Sequence, residues 1–369
     1  VCISSGIRRA KLIFKAEKKK QRARILTAIR WALLSFLSLL PLAAHAESGC
    51  IWDPRGDMAT CLQHMIDLLP GTPLTIPSGH WHLGHPLKLA AGTTLIGAPG
   101  VTLAPTPDNT SNPVLIQVIH AKSVHVSNLT FLGKGGGDAG GLVNRSPAIE
   151  VSNSTDITFL HVVVADVQGI GMLIEGGTSR SGVTDSVFRN IGNRWKQTHQ
   201  RKDRNQGLVF CCGNNNKDNY SIGNQFFDIG LDALQISNQV GFRAVQNRFE
   251  LENGERNILS SPDYPAAIFA PDSSGAVITG NDILGAQGNG IDAPGLETST
   301  VSANQISNSG GAGIGLFVSY DGKRPPQNVT VTANHLDNNA LWSGAQGHGG
   351  IVVVHRDGNV VKLLNNQVN

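Results

Sequence analysis

A short stretch with one polar anchor recurs along this chain and limits what it can fold into. It reads Val-Ile-Thr-Gly-Asn-Asp-Ile at 277–283, Val-Ser-Ala-Asn-Gln-Ile at 301–306 and Val-Thr-Ala-Asn-His-Leu at 331–336. Each copy holds alternating apolar residues, then Asn, one variable residue and an apolar residue. Looser copies centre on Asn224, Asn247 and Asn366, and degenerate ones place Asn128, His161 and Ser186 at the anchor. The successive spacings are 33, 25, 38, 23, 34, 23, 30 and 32 residues. A repeat of this period marks a chain of stacked supersecondary units.

A second element lies between the anchors. Copies include Gly-Met-Leu-Ile-Glu at 171–175, Asp-Ala-Leu-Gln-Ile-Ser at 232–237, Ala-Ala-Ile-Phe-Ala at 266–270, Gly-Ile-Asp-Ala at 290–293 and Gly-Ile-Gly-Leu-Phe-Val at 313–318. Each repeat therefore contains a Val-x-x strand, an Asn corner, a short Phe/Ile strand, a variable loop and a Gly-Ile strand. Three short strands per turn, stacked on the turns before and after, make a parallel β-helix. Asn suits its corner because the side-chain amide both donates and accepts. No amphipathic helix pattern appears after residue 70, and 43 glycines with 5% aromatic residues suit tight stacked turns.

The N-terminal region differs. Residues 1–24 are densely basic, residues 25–44 are apolar, and Ala44-His45-Ala46 supplies a small-x-small cleavage site. This is the pattern of a secretory signal peptide; the rival reading is a membrane anchor with a basic cytoplasmic tail, for which the apolar run is on the short side. Val1 in place of Met suggests a translation start nearer Arg22 or Ile25. Cleavage leaves a secreted or periplasmic product with no stable membrane insertion. It also leaves 20 basic and 26 acidic residues, a charge of about −6. The basic whole-chain pI is a property of the leader, and no nucleic-acid partner is expected. The expected organisation is a leader over 1–46, an N-terminal cap over 47–71 and a β-helix over 72–369. In the cap, Met58, Leu62, Met65, Ile66 and Leu69 share one face of a helix over 57–69, with Asp57 as N-cap and Pro70-Gly71 as stop. An exported chain can form disulfides, and a Cys50–Cys61 bridge is expected to staple the cap. Adjacent cysteines rarely bridge, so Cys211 and Cys212 are expected as two small packed residues.

The run from Asp57-Met-Ala-Thr-Cys-Leu-Gln through Leu-Thr-Ile-Pro-Ser-Gly-His-Trp to Thr-Leu-Ile-Gly-Ala-Pro-Gly resembles the entry of the pectin-lyase-like superfamily. The resemblance extends over roughly residues 50–369. It implies an all-β fold, a right-handed parallel β-helix with an N-terminal capping α-helix. It leaves the reaction open, because the superfamily includes lyases, hydrolases, epimerases, phage depolymerases and adhesins.

The long insertions 133–147, 191–206, 251–265, 319–328 and 338–349 all border the Gly-Ile strands, which places the groove there. Alternation turns Glu175, Gln235 and Asp292 outward. Leu-Asp-Ala-Leu-Gln-Ile at 231–236 is similar to the "D-D-x-I-x-I" segment of polygalacturonase-type hydrolases, in which Asp232 matches the general acid. Leu231 replaces the first Asp, and the "N-T-D" motif is absent. Gly347-His348-Gly349 matches the family's "G-H-G" but lies several coils away. Asp232 and Asp292 are read as a candidate catalytic pair, against the plainer readings of a turn residue and a solvated surface acid. The loop 191–206 gathers five Lys/Arg, His199 and Trp195. Arg pairs bidentately with carboxylates, so Arg201, Lys202 and Arg204 suit a uronic-acid-containing polysaccharide. His199 or Arg201 would then serve proton abstraction, and Trp195 and His348 would touch sugar. The plainer reading is a solvated loop. No cofactor is expected. Calcium, usual in the superfamily's lyases, stays open as an alternative, although it needs six to eight oxygens and no dense Asp/Glu cluster stands in the sequence. The expected function is an exported carbohydrate-active enzyme on an acidic polysaccharide, a lyase, hydrolase or epimerase. The alternative is a non-catalytic glycan-binding or surface-adhesion β-helix.

Overall fold

A computed structural model describes residues 56–108, 114–134, 146–193, 205–213, 216–251, 265–341, 349–354 and 360–369. All of them fall in the unit Trp52–Asn369. Among the described residues one helix, Ala59–Leu68, precedes strands that form three parallel sheets of 11, 11 and 10 strands. Sheet 1 runs from Leu74–Ile76 to Val361–Leu364, sheet 2 from Gly79–Leu83 to Gln367–Val368, and sheet 3 from Leu87–Lys88 to Ile351–Val353. Consecutive strands of the chain enter sheets 1, 2 and 3 in turn, and every pairing joins equivalent strands of successive coils. That topology is a parallel β-helix.

Apolar columns fill the interior. In sheet 3, Leu208, Leu234, Ile268, Ile291 and Ile314 stack in register and are buried. In sheet 2, Phe188, Phe226 and Phe249 stack with ring centroids 5.1 and 4.7 Å apart. The Gly of the Gly-Ile strand has a steric cause. A Cβ on Gly290 would come 2.4 Å from Ile306 Cγ2, and one on Gly313 would come 2.4 Å from Leu336 Cδ2. The chain passes there directly over the side chains of sheet 2. Gly313→Ala should therefore lower stability by about 1–3 kcal/mol through overpacking, read as a shift of the denaturant midpoint.

The anchors form one continuous ladder between sheets 1 and 2. The backbone N–H groups of Asn247, Asn281, Asn304 and Asn334 each donate, at 3.0 Å, to the Oδ1 of the Asn in the next coil. Each side-chain amide donates to the same Oδ1 at 2.8–3.0 Å. It also reaches back to a carbonyl, as from Asn281 to Ala244 O at 3.0 Å and from Asn304 to Ile278 O at 3.1 Å. Buried amide groups in this ladder thus find partners along the solenoid.

Two anchors are corrected by one residue. Ser127, Leu160 and Thr184 are register partners, so Leu129 and Val162 occupy the anchor place of Ser186. Asn128 and His161 sit one step earlier, at φ 57° and 52°, alongside Asp185 at 47°. Asn and His are there because that position is left-handed. The N–H of Val162 donates to Ser186 Oγ at 3.0 Å, so the polar ladder starts at Ser186.

The helix, Ala59–Leu68, is two residues shorter at its start and one at its end than expected. Asp57 lies before the N-cap position of Met58, yet its Oδ1 accepts from Ala59 N at 2.9 Å and from Gly84 N at 2.7 Å. It still caps the helix while tying it to the first coil. Leu62, Met65 and Ile66 are buried, whereas Leu69 lies beyond the last helical residue and is exposed. Cys61 is disulfide-bonded, and Cys50 lies outside the described residues. Among the described residues no helix is long and apolar enough to cross a membrane; the leader lies outside them.

Cys211 and Cys212 are bonded to each other, contrary to the expectation of two unlinked residues. Their strand ends at Phe210 and Cys212 takes φ 58°. Strand alternation no longer separates the two side chains, and both sulfurs meet.

Candidate functional site

The outward residues of sheet 3 form a single row along the solenoid. In order they are Lys88, Gln117, Glu150, Leu173, Val209, Gln235, Phe269, Asp292, Gly315 and Val352. In chain order the insertions 133–147, 191–206, 251–265 and 338–349 all fall between a sheet 2 strand and a sheet 3 strand, and 319–328 follows a sheet 3 strand. That order along the chain is the one expected.

Asp232 and Asp292 are half-buried and lie two coils apart. Coils are spaced by about 4.8 Å, so the axial part of their separation is about 9.6 Å; Asp232 also stands three residues before Gln235, the row position matched to Asp292. Asp232 stands at the corner entering its strand, and its Oδ1 accepts from Ala266 N of the next coil at 2.9 Å. Burial pushes its pKa up to about 7. The Ala266 hydrogen bond opposes that rise, and the negative charge of Asp292 adds to it. Asn289 has a matching role two coils on, its Oδ1 accepting from Ala312 N at 2.8 Å. The corner bond therefore does not require a carboxylate. An ionisable group in this place brings a proton as well.

Aromatic rings adjoin the pair. Phe269 lies in the row between Gln235 and Asp292. Tyr320 packs edge-on against it with centroids 5.9 Å apart and is 71% exposed. Phe317 covers Gly315, where a Cβ would come 2.3 Å from its ring. The loop carrying Tyr320 is pinned by Arg324 pairing with Asp272 at 3.0 Å and by Arg324 N donating to Ser319 Oγ at 2.9 Å. Sequence reasoning passed over Phe269 and Tyr320. The alternation Ile268 in, Phe269 out was available to find the first.

Gln235 is held in place. Its Oε1 accepts from Gln206 at 3.2 Å and its amide donates to Ser237 Oγ at 2.8 Å. Glu175 is half-buried farther along the face. Burial raises its pKa, with the charge of Glu150 adding to the rise. Glu150 accepts from Gln117 Nε2 at 2.9 Å. Trp195, His199, Arg201, Lys202, Arg204 and His348 lie outside the described residues. A cavity of roughly 500 Å³ lined by Gln63, Asp67, Lys88 and Gln117 opens at the cap end of the same face. Gln117 and Gln235 are four coils apart, so that cavity is separate from the acid pair. Among the described residues, one group of three His, Cys, Asp or Glu side chains gathers its donor atoms within 4.8 Å: Glu175, Cys211 and Cys212. Two sulfurs and one carboxylate are unlike the oxygen shell calcium takes.

The family model of the right-handed β-helix region matches residues 204–368. Solved structures extend the likeness over most of the chain. The enzymatically active domain of bacteriophage CBA120 tailspike protein 2 aligns with a TM-score of 0.61 at 14% identity, covering 85% of this chain and 46% of that one. The chain thus spans about half the length of that tailspike chain. The A-module of the Azotobacter vinelandii mannuronan C-5 epimerase AlgE6 aligns at 0.56 with 16% identity, covering 88% and 93%. PfbA, a surface adhesin of Streptococcus pneumoniae, aligns at 0.54 with 17% identity, covering 87% and 90%. Comparison with curated proteins returns no significant match. The fold is a right-handed parallel β-helix. At these identities the likeness speaks for fold, and the chemistry has to be argued from the site.

Proposed function

We propose that this protein is an exported carbohydrate-active enzyme that cleaves a polysaccharide lying along the outer row of sheet 3, with Asp232 as proton donor and Asp292 as the base that activates water. The observation that carries this reading is the pair of acids two coils apart, one of them with a pKa raised to about 7. Inverting glycosidases leave room for a water between their two carboxyls, and a carboxyl whose pKa is raised suits the role of the acid. Ala266 N–H holds Asp232 Oδ1, which leaves Oδ2 to carry the proton to the leaving oxygen. Phe269 and Tyr320 offer apolar ring faces and edges to a sugar beside the acids. Replacing Phe269 or Tyr320 by Ala should weaken binding of a cleaved oligosaccharide about tenfold, measured calorimetrically, with the melting temperature nearly unchanged for Tyr320.

The acidic, uronic-acid-containing character of the substrate is supported by the five Lys/Arg of loop 191–206, which precedes the Leu208–Phe210 strand. The floor itself bears Glu150, Glu175, Asp232 and Asp292, so a polyanion would be gripped from the walls. Incubation with polygalacturonate, alginate and neutral glucans decides the reaction. New reducing ends without ultraviolet absorbance of an unsaturated sugar support hydrolysis. Unsaturated products would replace it by a lyase reading, and a changed uronate ratio without cleavage by an epimerase reading. Export is tested by sequencing the N-terminus of the protein recovered outside the cytoplasm, expected to begin after Ala46.

The second reading is a non-catalytic glycan-binding or surface-adhesion β-helix. It is favoured by Asn289, which makes the same corner bond as Asp232 without any ionisable group. Glycan binding with no product on any of these polymers would establish it.

A further inference from the structure

The bonded pair Cys211–Cys212 sits at the outer end of a sheet 3 strand, with Glu175 of the preceding coil beside it. The three donor atoms lie within 4.8 Å of one another. Cys212 is exposed, Glu175 half-buried and Cys211 buried. The backbone that carries the sulfurs is fixed by bonds that do not involve them. Cys211 N donates to Ile174 O at 3.0 Å, and Gly176 N donates to Cys212 O at 3.1 Å. Asn216 Nδ2 donates to Cys211 O at 3.1 Å. Gly213 packs so closely on the neighbouring coil that a Cβ would come 2.8 Å from Gly177 N. Opening the sulfur–sulfur bond therefore leaves both side chains near Glu175. Glu150, in the coil before, adds a negative field at that carboxylate.

We propose that Glu175, Cys211 and Cys212 form a redox-gated site for a thiophilic divalent cation of the zinc type. Two thiolates and one carboxylate match the donors such ions take, with a water completing four-coordination. The site is closed while the two sulfurs are bonded to each other. A phosphine opens it: two electrons and two protons convert the disulfide to two thiols, while the phosphine takes an oxygen from water and becomes its oxide. Binding of the cation then releases both thiol protons to solvent. This assignment does not depend on the catalytic reading, since no step of it involves Asp232 or Asp292.

The test uses the full chain, treated anaerobically with a water-soluble phosphine and titrated with Cd²⁺, with sulfur-to-cadmium ultraviolet absorbance as the readout. The reduced protein is expected to take up one more equivalent than the Cys211→Ser/Cys212→Ser double variant, which keeps every other cysteine. The untreated protein should lack that equivalent. Glu175→Gln should bind it at least about tenfold more weakly, the scale on which groups that support a metal act. Cys212→Ser alone, at an exposed position, should remove the two-thiolate absorbance with the fold retained by circular dichroism. Equal uptake by the reduced protein and the double variant would overturn the proposal. Uptake of the extra equivalent without reduction, or an unchanged affinity in Glu175→Gln, would overturn it too.

Discussion

Replacing Asp232 by Asn should slow polysaccharide cleavage by about 10²–10⁴-fold while leaving the protein folded and, above neutral pH, more stable. The amide keeps an oxygen for the Ala266 N–H bond at the corner, as Asn289 keeps one for Ala312. What it loses is the proton. General acid–base groups contribute about 10²–10⁴-fold to a rate, and a fall of that size is expected for Asp232→Asn and for Asp292→Asn. The wild-type rate should fall as pH rises through about 7, where the raised Asp232 ionises. Stability follows the same shift. The folded pKa lies above the ordinary carboxylate value, so the folded state binds this proton more tightly than the unfolded chain. Below the unfolded value both states are protonated and the site is neutral in effect. As pH rises toward 7 the wild type becomes progressively less stable, because the folded state must ionise a carboxyl that burial disfavours. A rise to about 7 corresponds to about 4 kcal/mol. Partial exposure to water reduces this to about 2 kcal/mol. The Asn variant should therefore match the wild type near pH 3 and exceed it by about 2 kcal/mol at pH 8. Equal stability at both pH values would show that the carboxyl is not held in this environment, and the acid assignment would fall with it.

The largest structural effect is expected in the ladder. Asn304 is fully buried, accepts from both the backbone and the side chain of Asn281, and donates to Ile278 O and Asn334 Oδ1. Asn304→Ala removes one acceptor shared by two buried donors and leaves two acceptors short. Each stranded group costs about 1–3 kcal/mol, so a loss of about 3–5 kcal/mol is expected from chemical denaturation. Asn366→Ala, at a half-buried rung of the last coil, should cost less. A loss below 1 kcal/mol at Asn304 would mean that water or a relaxed backbone replaces the side chain.

The coils were legible because their cause is local and repeated. An Asn at a fixed place in each turn, and a Gly where the chain crosses a neighbouring side chain, leave the same trace in every copy. The misplacement of Asn128 and His161 has a physical origin. The left-handed corner and the ladder rung are adjacent and both accept Asn, and only the stacking partner tells them apart. The site was less legible. Asp232 stood out by its likeness to a known motif, yet its raised pKa comes from burial and from Asp292 sixty residues later in the chain. Phe269 looked like one more apolar strand residue, and Tyr320 reaches it from a distant loop that the Arg324–Asp272 pair ties down. The Cys211–Cys212 bond needed the left-handed turn at Cys212, which the sequence does not display.

The ladder is directional, since each rung donates forward and is received by the next. Between Asn281 and Asn304 one complete coil takes only 23 residues. A segment of that length could be duplicated or excised, and the flanking rungs would meet in unchanged register, in the manner of nearest-neighbour repeats. Length along the solenoid thus comes in discrete increments of about 4.8 Å. Such a scaffold can be lengthened to match a longer chain of sugars without altering the chemistry at any existing coil.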